Sequence, residues 1–433
     1  MHHTHNYQQT SLINFNTLGF KLEDTQIVKI SEEVNWEKIL PLVEKLYAKK
    51  GVNGNSTRIM VGLEMGKIYY GVSDKTIVSM LKTDVGLMVL CGFDRPLTDK
   101  EIPSSNSMTD FRNRLTKEVV NQINAEIIRK EIRKLPPRKR TQVSSDTTCL
   151  EANIEFPTDV RLLIKVYKKL VKVACSTRKN AKDILIRGKN NIKNKINAFN
   201  KNRRHKKDEI SQIKNELINF AEILHIKIKD KAKVLTEKQN KLLQNAMNIV
   251  KQQKTMLEME TNKIKSRIIS FHEQDLRPIY RGKLIKSIEF GKKSSIMVIG
   301  QALVIPGECT YDNVSDSKLP EKDIRRFKEV TGRNIKEYTA DRGMHSPKNH
   351  QLMKDHGITD GIAYRGRIPN KAKNKISTKT KKRLNNQRQP VEGKFGTLKT
   401  RYGCGRIPYK ATNTEIRLGF GSIMHNLNWG IRH

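Results

Sequence analysis

The feature that most constrains the fold is a long segment without proline. From Thr158 to Arg277 the chain contains no proline and a single glycine, Gly188. Proline and glycine are the residues that most disfavour helix interiors, so this segment can be helical throughout. Apolar residues recur in it at helical spacing, at Ile210, Ile213, Leu217, Phe220, Leu224 and Ile228. The pattern predicts a helical insertion with a coiled-coil-like hairpin.

The same segment carries much of the positive charge. Residues 161–270 hold 29 Lys and Arg against 9 Asp and Glu, which is half of the net charge of +40 of the 433-residue chain. Such a charge favours a polyanionic partner, because lysine and arginine neutralise phosphates and release counterions. The alternative is a lysine-rich composition without a binding role. The insertion itself is either a DNA-tracking arm, a dimer contact or a solvated spacer.

Cysteine content and hydropathy indicate the compartment. The chain has five cysteines, far apart in sequence, at positions 91, 149, 175, 309 and 404. An odd number of scattered cysteines is typical of a reduced, cytoplasmic compartment. The most apolar tract, Ile296–Ile305, is far shorter than the roughly 20 residues that span a bilayer. We therefore expect no membrane partner.

The residues before the first strand have helical patterns. Residues 1–19 are polar and are predicted to be a flexible N-terminus, and residues 20–140 form a helical N-terminal domain for DNA binding or dimerisation. The predicted helices are Val34–Lys49, Thr57–Tyr70, one from Asp74, Val85–Cys91, and one long helix from the capping-box tract at Ser107 toward Leu135. The pair Pro136-Pro137 ends this domain.

The apolar period changes from 3.6 to 2 after Pro278. Alternation predicts strands at Gln142–Leu150, Lys286–Ile299, Ala302–Tyr311, Ile335–Ala340 and Ile358–Tyr364. Helices are predicted at Glu321–Val330, from Ser346-Pro347 to Gly357, and as a final helix that begins near Glu392. This order predicts an α/β domain with a mixed sheet flanked by helices, made of residues 141–157 and 278–433 and interrupted by the insertion 158–277.

Three acidic residues are candidates for chemistry. Asp146 lies within the first strand, Asp341 ends the fourth strand, and Glu392 is the only acid among 14 Lys and Arg between positions 365 and 406. Phosphodiester hydrolysis and strand transfer use two divalent metals held by carboxylates, and carboxylates on neighbouring strand ends can converge. Arg388 and Lys399 lie on the helical face of Glu392 and can contact phosphates. Taken singly, each acid is better explained by a surface ion pair, and only the context in sequence favours a metal ligand.

Two other clusters are weaker candidates. His345, His350 and His356 lie close together, but no cysteine pair accompanies them as in common zinc sites. Cys404 and His425 have the residue types of a thiol nucleophile, but no thiol-activating motif surrounds them, which favours a structural thiol.

Several motifs in order resemble DDE transposases of bacterial insertion sequences, closest to the fourth and fifth insertion-sequence families. Their helical domain is similar to Leu63–Leu90, Phe93 and the tract from Ser107 to Phe111-Arg-Asn-Arg-Leu115. Their aspartate motifs are similar to Ser145-Asp146-Thr-Thr148 and Ala340-Asp341-Arg-Gly343, and Arg388, Glu392 and Lys399 match the spacing of their glutamate motif. The tyrosine of that motif is replaced by Asn385. Further similarities are Glu151–Ile154, Phe156–Asp159, Gly282-Lys283, Glu289–Lys292, Asn349 and His425–Leu427.

The resemblance implies an RNase H-like catalytic domain. Asp146, Asp341 and Glu392 would bind two Mg²⁺ ions, for which Mn²⁺ substitutes, while Arg342, Arg388 and Lys399 would position DNA phosphates. The implied activity is cleavage at the terminal inverted repeats of a transposon, followed by attack of the freed 3′-hydroxyl on target DNA. The implied partners are double-stranded transposon ends, target DNA and further copies of the chain in a homodimer or higher assembly.

Other classes of protein remain open at this point. One is a catalytically silent relative that binds DNA as a regulator or a domesticated protein. Another is a structure-specific nuclease with the same fold and no strand-transfer activity. A purely structural basic coiled coil explains residues 158–277 and nothing after them.

Overall fold

The computed structural model describes residue 19 and the ranges 22–48, 54–176, 182–202, 204–231, 235–280, 288–311, 314–366, 377–407 and 413–433. Within these ranges the chain forms two compact units. Unit 1 consists of residues 1–152 and 292–433, and unit 2 of residues 153–291. The predicted flexible terminus lies outside the described residues, apart from Gly19. No helix in the described part of the chain is long and apolar enough to cross a membrane.

The N-terminal part of unit 1 is helical, as predicted. Its helices are α1 Gln26–Glu33, α2 Trp36–Glu44, α3 Thr57–Tyr70, α4 Asp74–Met80, α5 Val85–Leu90, α6 Ser105–Arg114 and α7 Lys117–Glu131. The prediction of one long helix from Ser107 toward Leu135 was wrong. The N-cap of α6 is Ser104, and the chain is extended at Leu115 before Thr116 caps α7 by accepting a hydrogen bond from Val119 N at 3.3 Å. A threonine that competes for backbone donors starts a new helix here.

The sheet of unit 1 is mixed, as predicted. Strand β3 (Ile288–Ile299) lies between β4 (Leu303–Thr310) and β1 (Gln142–Ala152), and β5 (Glu337–Ala340) and β6 (Thr359–Ile362) follow on the other side of β1. Strands β3 and β4 are antiparallel, whereas β1, β5 and β6 are parallel. A short strand β7, Arg406–Ile407, extends the parallel pairing at the end of β1. The five predicted strands correspond to β1, β3, β4, β5 and β6.

Helices cover both faces of this sheet because alternate apolar side chains along its strands point to opposite faces. Ile296, Val298 and Val304 join a core with the N-terminal helices, whereas Met297 and Ile299 join a second core on the opposite face. The helices that follow β4 are α12 Leu319–Thr331, α13 Pro347–Asp355, α14 Thr378–Arg388, α15 Pro390–Thr400 and α16 Thr414–Gly430. Ser346 caps α13 and Gly357 follows it with a positive φ of 61°, as their sequence predicted.

Unit 2 contains the basic insertion. Its elements are α8 Asp159–Ser176, α9 Lys182–Lys201, α10 Lys207–Lys231, α11 Glu237–Glu258 and strand β2 Arg277–Tyr280, which pairs with the first residues of β3. The predicted apolar seam lies on α10 and packs against α8, α9 and α11 around a shared core. A helical insertion is thus confirmed. The seam contacts several helices rather than one partner, so a coiled-coil-like hairpin is not confirmed.

Candidate active site

The register of two parallel strands brings Asp146 and Asp341 side by side. Ser145 of β1 pairs with Ala340 of β5, and each aspartate follows its paired residue by one position. Adjacent strands run about 4.8 Å apart, so the two carboxylates emerge from neighbouring backbone positions. Both aspartates are half-buried. The parallel pairing therefore places the backbones of Asp146 and Asp341 next to each other.

The Asp341 carboxylate is oriented by the turn that follows it. Its Oδ1 accepts a hydrogen bond from Gly343 N at 2.7 Å and caps a short 3₁₀ helix over Arg342–Met344. A Cβ on Gly343 would lie 2.8 Å from Asp341 Oδ1 and 2.9 Å from Asp316 Oδ2. A side chain at this position would therefore displace the carboxylate, which explains why glycine follows Asp341-Arg342.

Glu392 lies in the first turn of α15, which packs against β1. The preceding helix, α14, is joined to β1 by the Ser144 hydroxyl, which donates to the Gln387 carbonyl at 3.0 Å. Ser144 and Asp146 are two residues apart in a strand and point to the same face, so α14 and α15 cover the face of Asp146. Glu392 is exposed, and no described residue forms a hydrogen bond or ion pair with its carboxylate.

The helix around Glu392 differs in two ways from the sequence prediction. It is not the final helix, because β7 and α16 follow it. It also does not include Arg388: α14 ends at Arg388 and α15 begins at Pro390, which has no N–H to continue the helical hydrogen bonding. Arg388, Glu392 and Lys399 therefore belong to two helices joined at Gln389, and only Glu392 and Lys399 share one.

The three residues predicted to contact phosphates lie close in sequence to Asp341 or to Glu392. Arg342 is exposed directly after Asp341, and its carbonyl accepts a hydrogen bond from Arg365 Nε at 2.7 Å. Arg388 is half-buried at the end of α14, and Lys399 is half-buried in the last turn of α15. These positions leave the Arg342 guanidinium facing solvent, where a phosphate can reach it.

Asp316 is an acidic residue beside this site that sequence reasoning missed. It begins a 3₁₀ helix after β4, forms an ion pair with Lys293 Nζ at 2.7 Å and accepts a hydrogen bond from Thr147 Oγ1 at 3.3 Å. Its Oδ2 faces Asp341 across Gly343. No spacing rule in the sequence could have found it, because its proximity to Asp341 depends on how two 3₁₀ turns pack together.

The carboxylates of Asp146, Asp341 and Glu392 suit a hard divalent cation, although the three side chains do not lie close together. Carboxylate oxygens are the preferred ligands of Mg²⁺ and Mn²⁺. In the described ranges, no three His, Cys, Asp or Glu side chains lie close enough to hold a metal ion as they stand. Asp146 and Asp341 accept hydrogen bonds from Thr147 N and Gly343 N, both at 2.7 Å. Each aspartate thus accepts with one carboxylate oxygen from the backbone of a residue that closely follows it.

The histidine cluster forms a hydrogen-bond chain instead of a zinc site. His345 Nδ1 lies 2.8 Å from His350 Nε2, and His350 Nδ1 bonds the Asp360 carboxylate. The Tyr364 ring stacks on His350 at 4.2 Å. His356 is exposed at the end of α13 and stands apart from this chain. Burial and the neighbouring His350 lower the pKa of His345.

Cys404, which precedes the last helix, and His425, which lies within it, have structural roles. The buried Cys404 thiol contacts the carbonyls of Tyr402 and Arg417, and burial raises its pKa to about 11. His425 Nε2 lies 3.0 Å from Ala302 O, and burial lowers the pKa of His425 to about 4. A thiol that stays protonated is a poor nucleophile. The expectation of a structural thiol is consistent with this geometry.

Comparisons with known proteins agree with this interpretation. Residues 17–114 match a family described as Transposase domain (DUF772), and residues 266–427 match the Transposase DDE domain. A curated protein of Rhizobium meliloti, "Uncharacterized protein ORF8 in nfe locus", is 26% identical over 150 residues, which are 34% of this chain and 72% of that protein. No solved structure matches the chain.

The two matched families define the class of this protein: it is a transposase whose catalytic domain is of the DDE type. More specifically, it is a DNA transposase of the insertion-sequence kind, an enzyme class that depends on divalent metal and acts on DNA. The DDE match includes Asp341 and Glu392, whereas Asp146 lies outside both matched ranges. The assignment of Asp146 depends on its pairing beside Asp341.

Proposed function

We propose that Asp146, Asp341 and Glu392 are the catalytic carboxylates of this transposase and that they hold two Mg²⁺ ions, for which Mn²⁺ substitutes. The observation that carries the proposal is the pairing of Ser145 with Ala340, because it makes Asp146 and Asp341 neighbours in an RNase H-like sheet. Glu392 reaches in from a helix on the face of Asp146. Bound divalent cations supply the charge that stabilises the attacking and leaving oxygens of a phosphodiester.

The proposed reaction has two steps. In the first, water attacks the phosphorus at a terminal inverted repeat, and the bond to the 3′-oxygen breaks to leave a 3′-hydroxyl. In the second, this hydroxyl attacks a phosphodiester of target DNA and releases a target 3′-hydroxyl, so one bond forms as one breaks. Arg342, Arg388 and Lys399 hold the phosphates in line for attack, since cations at fixed positions lower the cost of orienting an anion.

The remaining parts of the chain are proposed to bind DNA and further copies of the chain. We assign end recognition to the N-terminal helices together with the basic insertion, and we expect a homodimer or higher assembly on DNA. Phosphate contacts from the many lysines would supply most of the affinity, and base contacts would supply the choice of end. The resemblance to the fourth and fifth insertion-sequence families makes the ends of the element that encodes this chain the first substrate to test.

The test is a cleavage and strand-transfer assay with labelled DNA that carries these ends. Wild-type protein with Mg²⁺ or Mn²⁺ is expected to nick at the element boundary and to form joined products. Asp146→Asn, Asp341→Asn and Glu392→Gln should each lose at least about 100-fold in rate and keep their affinity for DNA, because each removes an anionic metal ligand. Asp355→Asn is the matched control, since Asp355 is an exposed acid on α13.

Product analysis separates the two other candidate functions. Nicking without joined products in any target would instead identify a nuclease. Salt-sensitive DNA binding with no cleavage in either metal would identify a catalytically silent relative and would refute the catalytic assignment of all three carboxylates.

A further inference from the structure

A basic cavity lies at the start of β1, before the part of the strand that carries Asp146. Five cationic side chains line it, those of Arg138, Lys139, Lys379, Lys382 and Arg383, and its volume is about 550 Å³. Gln142, the first residue of β1, also lines it. Asp146 lies four positions after Gln142 along the extended strand. At ~3.3 Å per residue, the two are about 13 Å apart. The cavity is therefore distinct from the carboxylate site.

The lysines of the cavity have no carboxylate partner among the described residues. Glu337 is the acid beneath the cavity, and it pairs with Arg138 at 3.4 Å and with Arg383. Two arginines thus neutralise one buried carboxylate. Lys139, Lys379 and Lys382 remain as exposed cations around the same opening. Like charges held this close repel one another unless an anion lies between them.

A buried amide in the cavity wall gives an independent indication of a ligand. Gln387 is 5% exposed and lines the cavity from α14. Its backbone carbonyl accepts the hydrogen bond from Ser144, but its side-chain Nε2 and Oε1 have no hydrogen-bond partner among the described residues. Buried amides in native proteins are almost always hydrogen-bonded, so an unpartnered one calls for a polar ligand or water. Both amide atoms are shielded from solvent, so the Gln387 side chain must turn toward the opening before its Nε2–H donates to a phosphate oxygen.

We infer that this cavity binds a backbone phosphodiester of the DNA on which the enzyme acts, at a position several nucleotides from the bond that is cut. The inference rests on the proposed action on DNA and assigns a second anchoring point for the same duplex. The volume is within the roughly 300–1,000 Å³ of ligand pockets and accommodates a phosphate with its flanking sugars. Such an anchor fixes the register of the duplex, because phosphate contacts position DNA without reading its sequence.

The first test measures DNA binding by fluorescence anisotropy over a range of salt concentrations. All proteins carry Asp341→Asn, so that cleavage does not change the substrate. Lys379→Gln with Lys382→Gln is expected to reduce the slope of log affinity against log salt by about 1–2, since each lost phosphate contact removes about 0.9. The matched control is Lys328→Gln with Lys354→Gln, which removes the same charge from exposed lysines of α12 and α13. Equal slopes in the two double variants would overturn the inference.

A second variant separates a ligand-binding role from a structural one. Gln387→Leu keeps the approximate volume and removes the unpartnered amide. We expect DNA affinity to fall about 3- to 10-fold while the thermal unfolding midpoint stays or rises, because no internal hydrogen bond is lost. A lower midpoint with unchanged DNA affinity would show that Gln387 has a partner within the protein and would overturn its role here.

Inorganic phosphate distinguishes the two sources of the anion. If DNA occupies the cavity, phosphate should compete with DNA only weakly and less in the lysine variant. Saturable phosphate binding that is lost in the lysine variant, with unchanged DNA affinity, would identify a free-phosphate site and overturn the DNA assignment. If the wild-type protein cleaves DNA and the cavity variants behave like the control, the transposase function stands. Only the DNA-binding role of the cavity is then rejected. Absence of DNA binding by the wild-type protein would reject both.

Discussion

The Ser144 hydroxyl donates a hydrogen bond of 3.0 Å to the backbone carbonyl of Gln387. This contact joins the strand that carries Asp146 to the helix that precedes Glu392. Ser144 is 2% exposed and its oxygen also lies 2.7 Å from Thr339 Oγ1 on β5, the strand that leads to Asp341. One buried hydroxyl thus connects the strand that carries Asp146 with the segments that lead to Asp341 and to Glu392. It can position them without touching DNA.

We predict that Ser144→Ala lowers cleavage activity more than it lowers stability. Loss of the hydroxyl leaves a buried carbonyl and a buried threonine hydroxyl with fewer partners, which costs about 1–3 kcal/mol. The shift of α14 relative to β1 should reduce the metal-dependent cleavage rate by about 10-fold, because small misplacements of catalytic groups are costly. Urea denaturation and the cleavage assay measure the two effects.

Ser422→Ala is the matched control for this prediction. Ser422 is also fully buried and donates to a carbonyl, that of Leu418, but within α16. Its loss should lower stability to a similar degree and leave the cleavage rate of the folded protein unchanged. Equal effects of the two variants on cleavage would contradict a positioning role for Ser144.

We predict that Gly343→Ala inactivates the enzyme while the fold persists. The added Cβ would meet Asp341 Oδ1 at 2.8 Å, so the carboxylate must move from its place at the end of β5. Cleavage should fall by at least about 10-fold, and circular dichroism should remain that of the wild type. Gly396→Ala on α15 is the control, since its Cβ would meet no atom within 4 Å. That variant should be active and more stable by about 0.5–1 kcal/mol. A fully active Gly343→Ala protein would argue against Asp341 as a catalytic residue.

The sequence was sufficient to locate the strands that carry Asp146 and Asp341. Period-two alternation and the glycines and prolines around it placed β1, β3, β4, β5 and β6, because these signals are local. The two aspartates could then be expected to lie close together, because the carboxyl ends of parallel strands lie at one edge of a sheet. Whether the three carboxylates bind metal stays a prediction.

Features that depend on tertiary packing could not be deduced from the sequence. The break between α6 and α7 at Thr116 was missed because the apolar period continues across it. Asp316 was missed because its proximity to Asp341 arises from two packed turns. The buried amide of Gln387 has no signal in the sequence, and only its 5% exposure distinguishes it.

We predict that Arg112→Met strongly destabilises unit 1. Arg112 belongs to the Phe111-Arg-Asn-Arg-Leu115 motif, is 2% exposed, and forms ion pairs with Glu64 at 2.9 Å and with Asp74. Its removal takes the guanidinium away from the fully buried Glu64, and breaking a buried ion pair costs about 3–5 kcal/mol. Lys82→Met, which breaks the exposed ion pair with Asp99, should cost far less, because solvent screens exposed charges. Similar losses in both variants, measured by urea denaturation, would contradict the structural role of this motif arginine.

We predict that Glu131→Gln changes the pH dependence of stability. Glu131 is fully buried at the end of α7, and burial together with the hydrogen-bonded Glu33 raises the pKa of Glu131 to about 7. The unfolded chain has a glutamate pKa of about 4.3, so between these values the folded state keeps a proton that the unfolded state releases. The unfolding free energy of the wild type therefore loses a contribution as pH rises through this window, and the loss is complete above pH 7.

The glutamine introduced by Glu131→Gln does not titrate, so the variant should gain stability relative to the wild type as pH rises from 5 to 8, on the order of 2–3 kcal/mol. The comparison is made as a difference in urea unfolding free energy at pH 5, 6, 7 and 8. The buried His425, whose pKa is lowered to about 4, titrates in both proteins and cancels from that difference. Parallel stability curves for the two proteins would show that Glu131 is ionised in the folded state throughout, with Lys134, 3.0 Å away, as a sufficient counter-ion.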